Sequence, residues 1–175
     1  MVKTSIEVVG GRVEFGITLG DITEANVEAI VSPANPGFEF VGMLRGVQNA
    51  IAKKAGMETF EEAERKARAA IAAGQGVKDN VSDLVGVPLG FATATTSGEL
   101  KKIGIKRIIH VNNMRTGVGA YCDEEVVRLA VSSSLAVADR EHLKSVAFPA
   151  MGAGGWGMSV VESLTGTIQG IRDYY

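Results

Sequence analysis

Cysteine is almost absent from this sequence. Cys122 stands alone, so no internal disulfide can form and no Cys/His cluster of the kind that holds structural zinc exists. Histidine is limited to His110 and His142. No apolar run is long enough to cross a bilayer, and the opening MVKTSIEVVGGRVEF lacks the uninterrupted apolar core of a signal peptide, so a cytoplasmic location is expected. An excess of positive charge is missing too: 18 Lys and Arg against 20 Asp and Glu leave a net charge of −2 and a pI of about 5.7. That balance argues against general affinity for nucleic acid, whose binders concentrate Lys and Arg on one face. No metal, cofactor or membrane partner is implied.

Glycine, by contrast, is abundant, at 22 residues, and its densest stretch organises the chain. Residues 145–157 read SVAFPAMGAGGWG. Val146 and Phe148 are strand-forming, Pro149 closes the strand, and the glycines from Gly152 to Gly157 let the backbone approach a ligand closely. Ser159 and Glu162 have the spacing of a capping box, after which Val160, Leu164, Ile168 and Ile171 share one helical face. A glycine loop opening onto a helix N-terminus is predicted to offer unpaired N–H groups to a phosphate or diphosphate. Gly152, Gly154 and Gly157 also spell G-x-G-x-x-G, but a dinucleotide fingerprint belongs to the first strand–turn–helix of its domain and needs an acidic residue about twenty positions on. Here the chain runs out at Tyr175, so the loop is expected to be the last segment of a site assembled from earlier ones.

The earlier segments alternate between strand and helix. Residues 5–9 and 12–17 are β-branched and flank Gly10-Gly11, which predicts a hairpin and an antiparallel start to the sheet. Ala29-Ile30-Val31 is a buried-strand run that ends in Ser32-Pro33-Ala34-Asn35-Pro36-Gly37, a forced turn at a strand's carboxyl end. Leu44, Val47 and Ile51 predict a helix reaching a C-cap at Gly56, which makes Gly46-Val47 a second candidate phosphate loop. Thr59 and Glu62 predict a capping box for a long helix to about Ala73, whose mixed charges form a solvated face. A polar loop over residues 74–83, strands over 91–95 and 105–111, and a helix capped by Asp123 with Val127, Ala130, Val131 and Leu135 inward complete the pattern. With 46% hydrophobic and 22% charged residues, this predicts a single domain over residues 1–175, an α/β chain folded as a three-layer α/β/α sandwich. Its sheet is expected to be mixed and mainly parallel, with the first hairpin as the antiparallel part.

Leu19-Gly20-Asp21-Ile22-Thr23, the segment from Ala29 to Pro36, the stretch from Gly46 to Gly56, Ile108-Ile109-His110, and Ala147-Phe148-Pro149-Ala150 with its glycine loop together resemble the macro domain family. The similarity runs from about Thr18 to the last helix. It implies a cleft that binds ADP-ribose or ADP-ribosylated protein, and in some members hydrolysis of ADP-ribose derivatives. By position, the resemblance gives Asp21 and the Ile22 N–H to adenine and Asn35 to the distal ribose. It assigns Gly46, Val47 and Gln48 to the first phosphate loop, and Gly152, Ala153, Gly154, Gly155 and Trp156 to the second, with the Trp156 ring over the distal ribose. Read locally, Asp21 is a turn cap, Asn35 an Asx-turn and Trp156 a buried loop anchor, and these alternatives stand beside the ligand roles.

Departures from the family pattern bear on chemistry. Ser32 replaces the first family asparagine, Leu44-Arg45-Gly46 replaces a three-glycine run, Ala52 stands where some members have histidine, and Gln48 replaces the aspartate that positions water. A glutamine cannot act as general base, and His110 reads as structural. Binding of ADP-ribose is therefore the expected function. The alternative is a weak ADP-ribose-phosphate phosphatase or ADP-ribosyl hydrolase in which the substrate's own phosphate activates water. Arg45 could pair with the diphosphate or a terminal phosphate, or equally point to solvent. Many members continue into a strand whose aromatic residue packs on adenine; the sequence ends before it, so the pocket is expected either to be open on one side or to be completed by Tyr174, Tyr175 or a second subunit.

Overall fold

A computed structural model describes residues 2–8, 11–40, 46–79, 84–115 and 121–175. The Gly10 turn position and Leu44-Arg45 lie outside them. The chain starts as an antiparallel hairpin of β1 (Val2–Val8) and β2 (Gly11–Ile17), with Val2 opposite Ile17 and Val8 opposite Gly11. A 3₁₀ turn (Ile22–Glu24) leads to β3 (Ala29–Ala34). Then come α1 (Val47–Ala55) and α2 (Glu58–Ala70), the latter passing into a π-type turn (Ile71–Gln75) that ends where Gly74 takes φ +84°. A small pair, β4 (Val77–Lys78) and β5 (Val85–Gly86), precedes β6 (Ala92–Thr96). After a 3₁₀ segment (Gly98–Ile103) follow β7 (Arg107–Asn112), α3 (Glu124–Arg140), β8 (Val146–Ala147) and α4 (Val160–Tyr174).

The central sheet has the order β6-β7-β3-β8, with β3 parallel to both β7 and β8, and β6 antiparallel to β7. It is mixed and mainly parallel, and helices cover both faces. Ile30 and Ile108 point to one side and pack with Ile51, Ala52 and Ala55 of α1 and Phe60 of α2. Val31, Ile109 and Val111 point to the other and pack with Val126, Val127, Ala130 and Val131 of α3. This alternation, period two along strands buried on both faces, produces the three-layer α/β/α sandwich.

The structure corrects three sequence expectations. The first hairpin forms its own two-stranded sheet, and the antiparallel member of the central sheet is β6. Thr59 and Glu62 do not form a capping box: the Thr59 hydroxyl donates to Gly56 O (2.9 Å), and Glu62 is drawn away by the Thr96 N–H. On α4 the buried residues are Ser163, Gly166, Gly170 and Ile171, whereas Val160 is 56% exposed. Close backbone approach decides this face. A Cβ on Gly166 would lie 2.7 Å from Glu124 O, and one on Gly170 would collide with Arg128 O, so α3 and α4 meet where side chains are absent. The two helices run parallel, with Arg128 joined to Asp173 (3.2 Å) and the Tyr174 hydroxyl donating to Asp139 (2.7 Å) near their ends. The cap at Asp123, which accepts from Val126 N (2.8 Å), and the C-cap at Gly56 are as expected.

Candidate functional site

Parallel strands β3, β7 and β8 end at the same edge of the sheet, so the loops that follow them gather there. From β3 the chain leaves toward α1 on one face; from β8 it leaves toward α4, which packs on α3 on the other. Neighbouring strands whose connections depart to opposite faces open a crevice between them, the place where open α/β sheets hold ligands. Among the described residues, the segments entering this crevice are 35–40 with 46–48, and 148–159.

In the first, Gly46 is the N-cap of α1 with φ +106° and provides no side-chain cap. The N–H groups of Val47 and Gln48 fall in the first turn, where a helix has no acceptor of its own, and space around Gly46 is open. Gln48 reaches back so that Nε2 donates to Pro33 O (2.6 Å), tying the helix start to the end of β3. Asn35 forms the Asx-turn: Oδ1 accepts from Gly37 N (3.0 Å) and Glu39 N (3.2 Å), and Nδ2 donates to Glu39 O (2.8 Å). One Nδ2 proton is left over. Ser32, the residue before Pro33, is buried and its hydroxyl has no partner among the described residues.

The second segment is a folded loop rather than a helix entrance. Met151 N donates to Pro149 O (2.8 Å), Ala153 N to Ala150 O (3.2 Å), and Met158 N to Gly152 O (3.1 Å), which closes the loop on itself. Gly152 is buried at φ +81°, and any Cβ there would collide with Met158 Sδ and come within 3.1 Å of Cys122 Sγ. Gly157 also has positive φ and donates to Gly154 O. The N–H groups of Gly154, Gly155 and Trp156 have no acceptor among the described residues. Sequence spacing predicted that the α4 N-terminus would itself attract an anion. Instead its capping box is complete: Ser159 Oγ accepts from Glu162 N (3.1 Å) and Glu162 accepts from Ser159 N (2.7 Å), which sets a carboxylate at that helix end. The unpaired donors belong to the loop. Trp156 is 40% exposed, so it is not the buried anchor that the local reading offered.

Asp21 is the N-cap of the Ile22–Glu24 turn, which packs beside α1. Both of its bonds end on Oδ1, from Thr23 Oγ1 (2.7 Å) and Thr23 N (2.9 Å), and these hydrogen bonds hold its carboxyl below the usual aspartate range. Ile22 joins the cluster that contains Val47 and Ile51, and its N–H, the first in the turn, has no acceptor within it. His110 is structural: it is buried between Phe38 and Phe60, lies 3.1 Å from Thr95 Oγ1 through Nε2, and burial pushes its pKa down to about 3. Tyr174 is spoken for by Asp139 at the far end of α4; fifteen helical residues place that end roughly 22 Å from the glycine loop. Met158 and Cys122, which fix Gly152, went unnoticed in the sequence because nothing in their spacing marks them.

An open α/β sheet with amide-bearing loops at its switch point defines a class of proteins that hold anionic ligands through the main chain. The Macro domain family model matches residues 31–165. An uncharacterised protein of Pyrococcus horikoshii is 36% identical over 158 residues, covering 85% of this chain and 73% of the relative. One of Aquifex aeolicus is 31% identical over 162 residues, covering 92% and 82%. Among solved structures, the Oceanobacillus iheyensis macrodomain with ADP superposes with a TM-score of 0.68 at 22% identity, covering 98% of this chain and 80% of that one. The Trypanosoma brucei macrodomain in complex with ADP-ribose gives 0.63 at 21% identity, with 89% and 54% covered. The chain belongs to the macro domain family.

Proposed function

We propose that this chain binds ADP-ribose, free or attached to protein, in the crevice between the loops that follow β3 and β8. One observation carries the reading: two sets of backbone N–H groups with no acceptor among the described residues, Val47 with Gln48 and Gly154 with Gly155 and Trp156, flank the switch point. Backbone donors suit a diphosphate without any basic cluster, in keeping with a net charge of −2. Asp21 stays ionised at neutral pH, and its Oδ2, untouched by Thr23, accepts from the adenine amino group with the Ile22 N–H beside it. The spare Nδ2 proton of Asn35 meets the distal ribose, the Trp156 ring covers it, and Arg45 adds a cation at the first loop. We assign binding rather than turnover to the site: Gln48 supplies no general base and its amide is engaged by Pro33 O, so hydrolysis would depend wholly on the substrate's own phosphate. ADP-ribosylated protein incubated with the chain should release ADP-ribose no faster than in buffer.

Asp21→Ala should weaken ADP-ribose binding by about 1–3 kcal/mol, roughly 5- to 150-fold in Kd, when titrated calorimetrically. Asp21→Asn separates this role from capping. It retains an oxygen for Thr23 but turns an NH₂ toward the adenine amino group, so affinity should fall while thermal stability holds. Unchanged affinity in both variants would remove Asp21 from the adenine site.

A further inference from the structure

The outer edge of β6 is an open end of the central sheet, since β6 pairs only with β7 among the described strands. In an antiparallel ladder, successive residues turn both backbone groups alternately toward and away from the partner. Asn112 N donates to Phe91 O, so Thr93 and Thr95 face β7 while Ala94 and Thr96 face outward. These outward groups are what an incoming strand would use. Two of them, Ala94 O and Thr96 N, are occupied by side chains of α2. Lys66 Nζ donates to Ala94 O (2.6 Å), and Glu62 Oε2 accepts from Thr96 N (3.0 Å) and Thr96 Oγ1 (3.0 Å). Glu62 and Lys66 are also joined to each other (2.8 Å), one helical turn apart. The mixed charges on this helix, which the sequence marks as a solvated face, thus include a donor and an acceptor matched to two of the outward backbone groups.

We propose that Glu62 and Lys66 keep this edge of the sheet from accepting β6 of a second copy of the chain. Two-fold pairing of β6 with β6 would be antiparallel and would extend the sheet across two molecules. It is blocked because Ala94 O and Thr96 N already have partners, and because an incoming strand would have to displace two charged groups from their mutual ion pair. The edge is separated from the crevice by β7 and β3, so the block operates independently of the ligand site.

The test is self-association measured by sedimentation velocity over a range of protein concentrations, for the parent chain, Glu62→Ala/Lys66→Ala, and the same double variant carrying Thr96→Pro. The double variant should associate about tenfold or more tightly than the parent, with an unchanged circular dichroism spectrum. Thr96→Pro removes the outward N–H at an edge position that tolerates proline and should return the mass to that of the parent. If the double variant loses its fold, Lys66→Met, which keeps the aliphatic stem and frees Ala94 O, is measured in its place. A folded variant with the parent's mass at every concentration overturns the proposal, as does association that survives Thr96→Pro.

Discussion

Alanine at Gly98 is expected to destabilise the fold by roughly 2–5 kcal/mol, the sum of overpacking and a left-handed backbone. Gly98 has φ +52°, and a Cβ there would overlap Ala55 O and lie 2.9 Å from Ala55 C. Neither side can yield. Ala55 is fully buried in the last turn of α1, and the opposing turn is held by the Ser97 hydroxyl on Ile105 O (2.5 Å) and by Leu100 N on Ser97 O (3.1 Å). This contact fixes the far end of the helix whose first turn carries the Val47 and Gln48 amides, so packing at Gly98 and placement of those amides are mechanically linked. Thermal denaturation should show a loss on the order of 10 °C for a chain of this size. Gly20→Ala is the control: with nothing within 4 Å and no positive φ, it should change stability by less than about 0.5 kcal/mol. Equal behaviour of the two variants would contradict the packing described.

A second large effect concerns acid stability. His110 is neutral in the fold, with a pKa pushed down to about 3 by burial, whereas in the unfolded chain it titrates near 6.5. Above pH 6.5 neither state binds the proton and the residue adds no pH dependence. Between pH 6.5 and 3 only the unfolded state binds it, so stability is lost as pH falls, by up to about 1.4 kcal/mol per pH unit. The charged groups that act on the ring, Glu62 and Lys66, work in opposite directions and leave burial in command. Carboxylates whose pKa is lowered by hydrogen bonds, Asp21 and Glu162 among them, lose stability in the same direction but only at lower pH. The window from pH 6.5 to 5.5, above the titration of unfolded glutamates, therefore isolates the histidine. Urea unfolding there should lose about 1 kcal/mol in the parent, and His110→Gln should flatten that slope. A parent curve that is flat across that window would mean that the buried imidazole is protonated with the fold intact.

Features that depend on local chemistry were legible in the sequence. The caps at Asp123 and Ser159, the C-cap at Gly56 and the helix start at Gly46 each follow from one or two residues at fixed offsets. Long-range choices were not. The separation of the first hairpin from the central sheet, and the pairing of β6 with β7, depend on which backbones meet, and β-branched composition is the same either way. Hydrophobic periodicity found only part of the buried face of α4, Ile171 with half-buried Leu164 and Ile168, because the closest contact is made by Gly166 and Gly170, which carry no apolar signal. Glu62 left its expected cap for an N–H 34 residues away, a partner no local pattern announces. At the site, glycine and asparagine positions could be named, but the ties of Gln48 to Pro33 O and Asn35 to Glu39 end on backbone atoms and have no sequence signature. The glycine loop and the Ser159–Glu162 capping box were both visible; what spacing did not show is that the unpaired donors belong to the loop rather than to the α4 terminus.

The crevice between the β3 and β8 loops is proposed to hold ADP-ribose through backbone donors. Calorimetric titration of the chain with ADP-ribose, with AMP and NAD as controls, is the decisive experiment. Saturable binding of ADP-ribose at micromolar or tighter Kd is expected, with weaker binding of both controls, about 8 kcal/mol being the corresponding free energy. Absence of heat with ADP-ribose, or equal affinity for AMP, would contradict it, since the diphosphate and distal ribose would then contribute nothing.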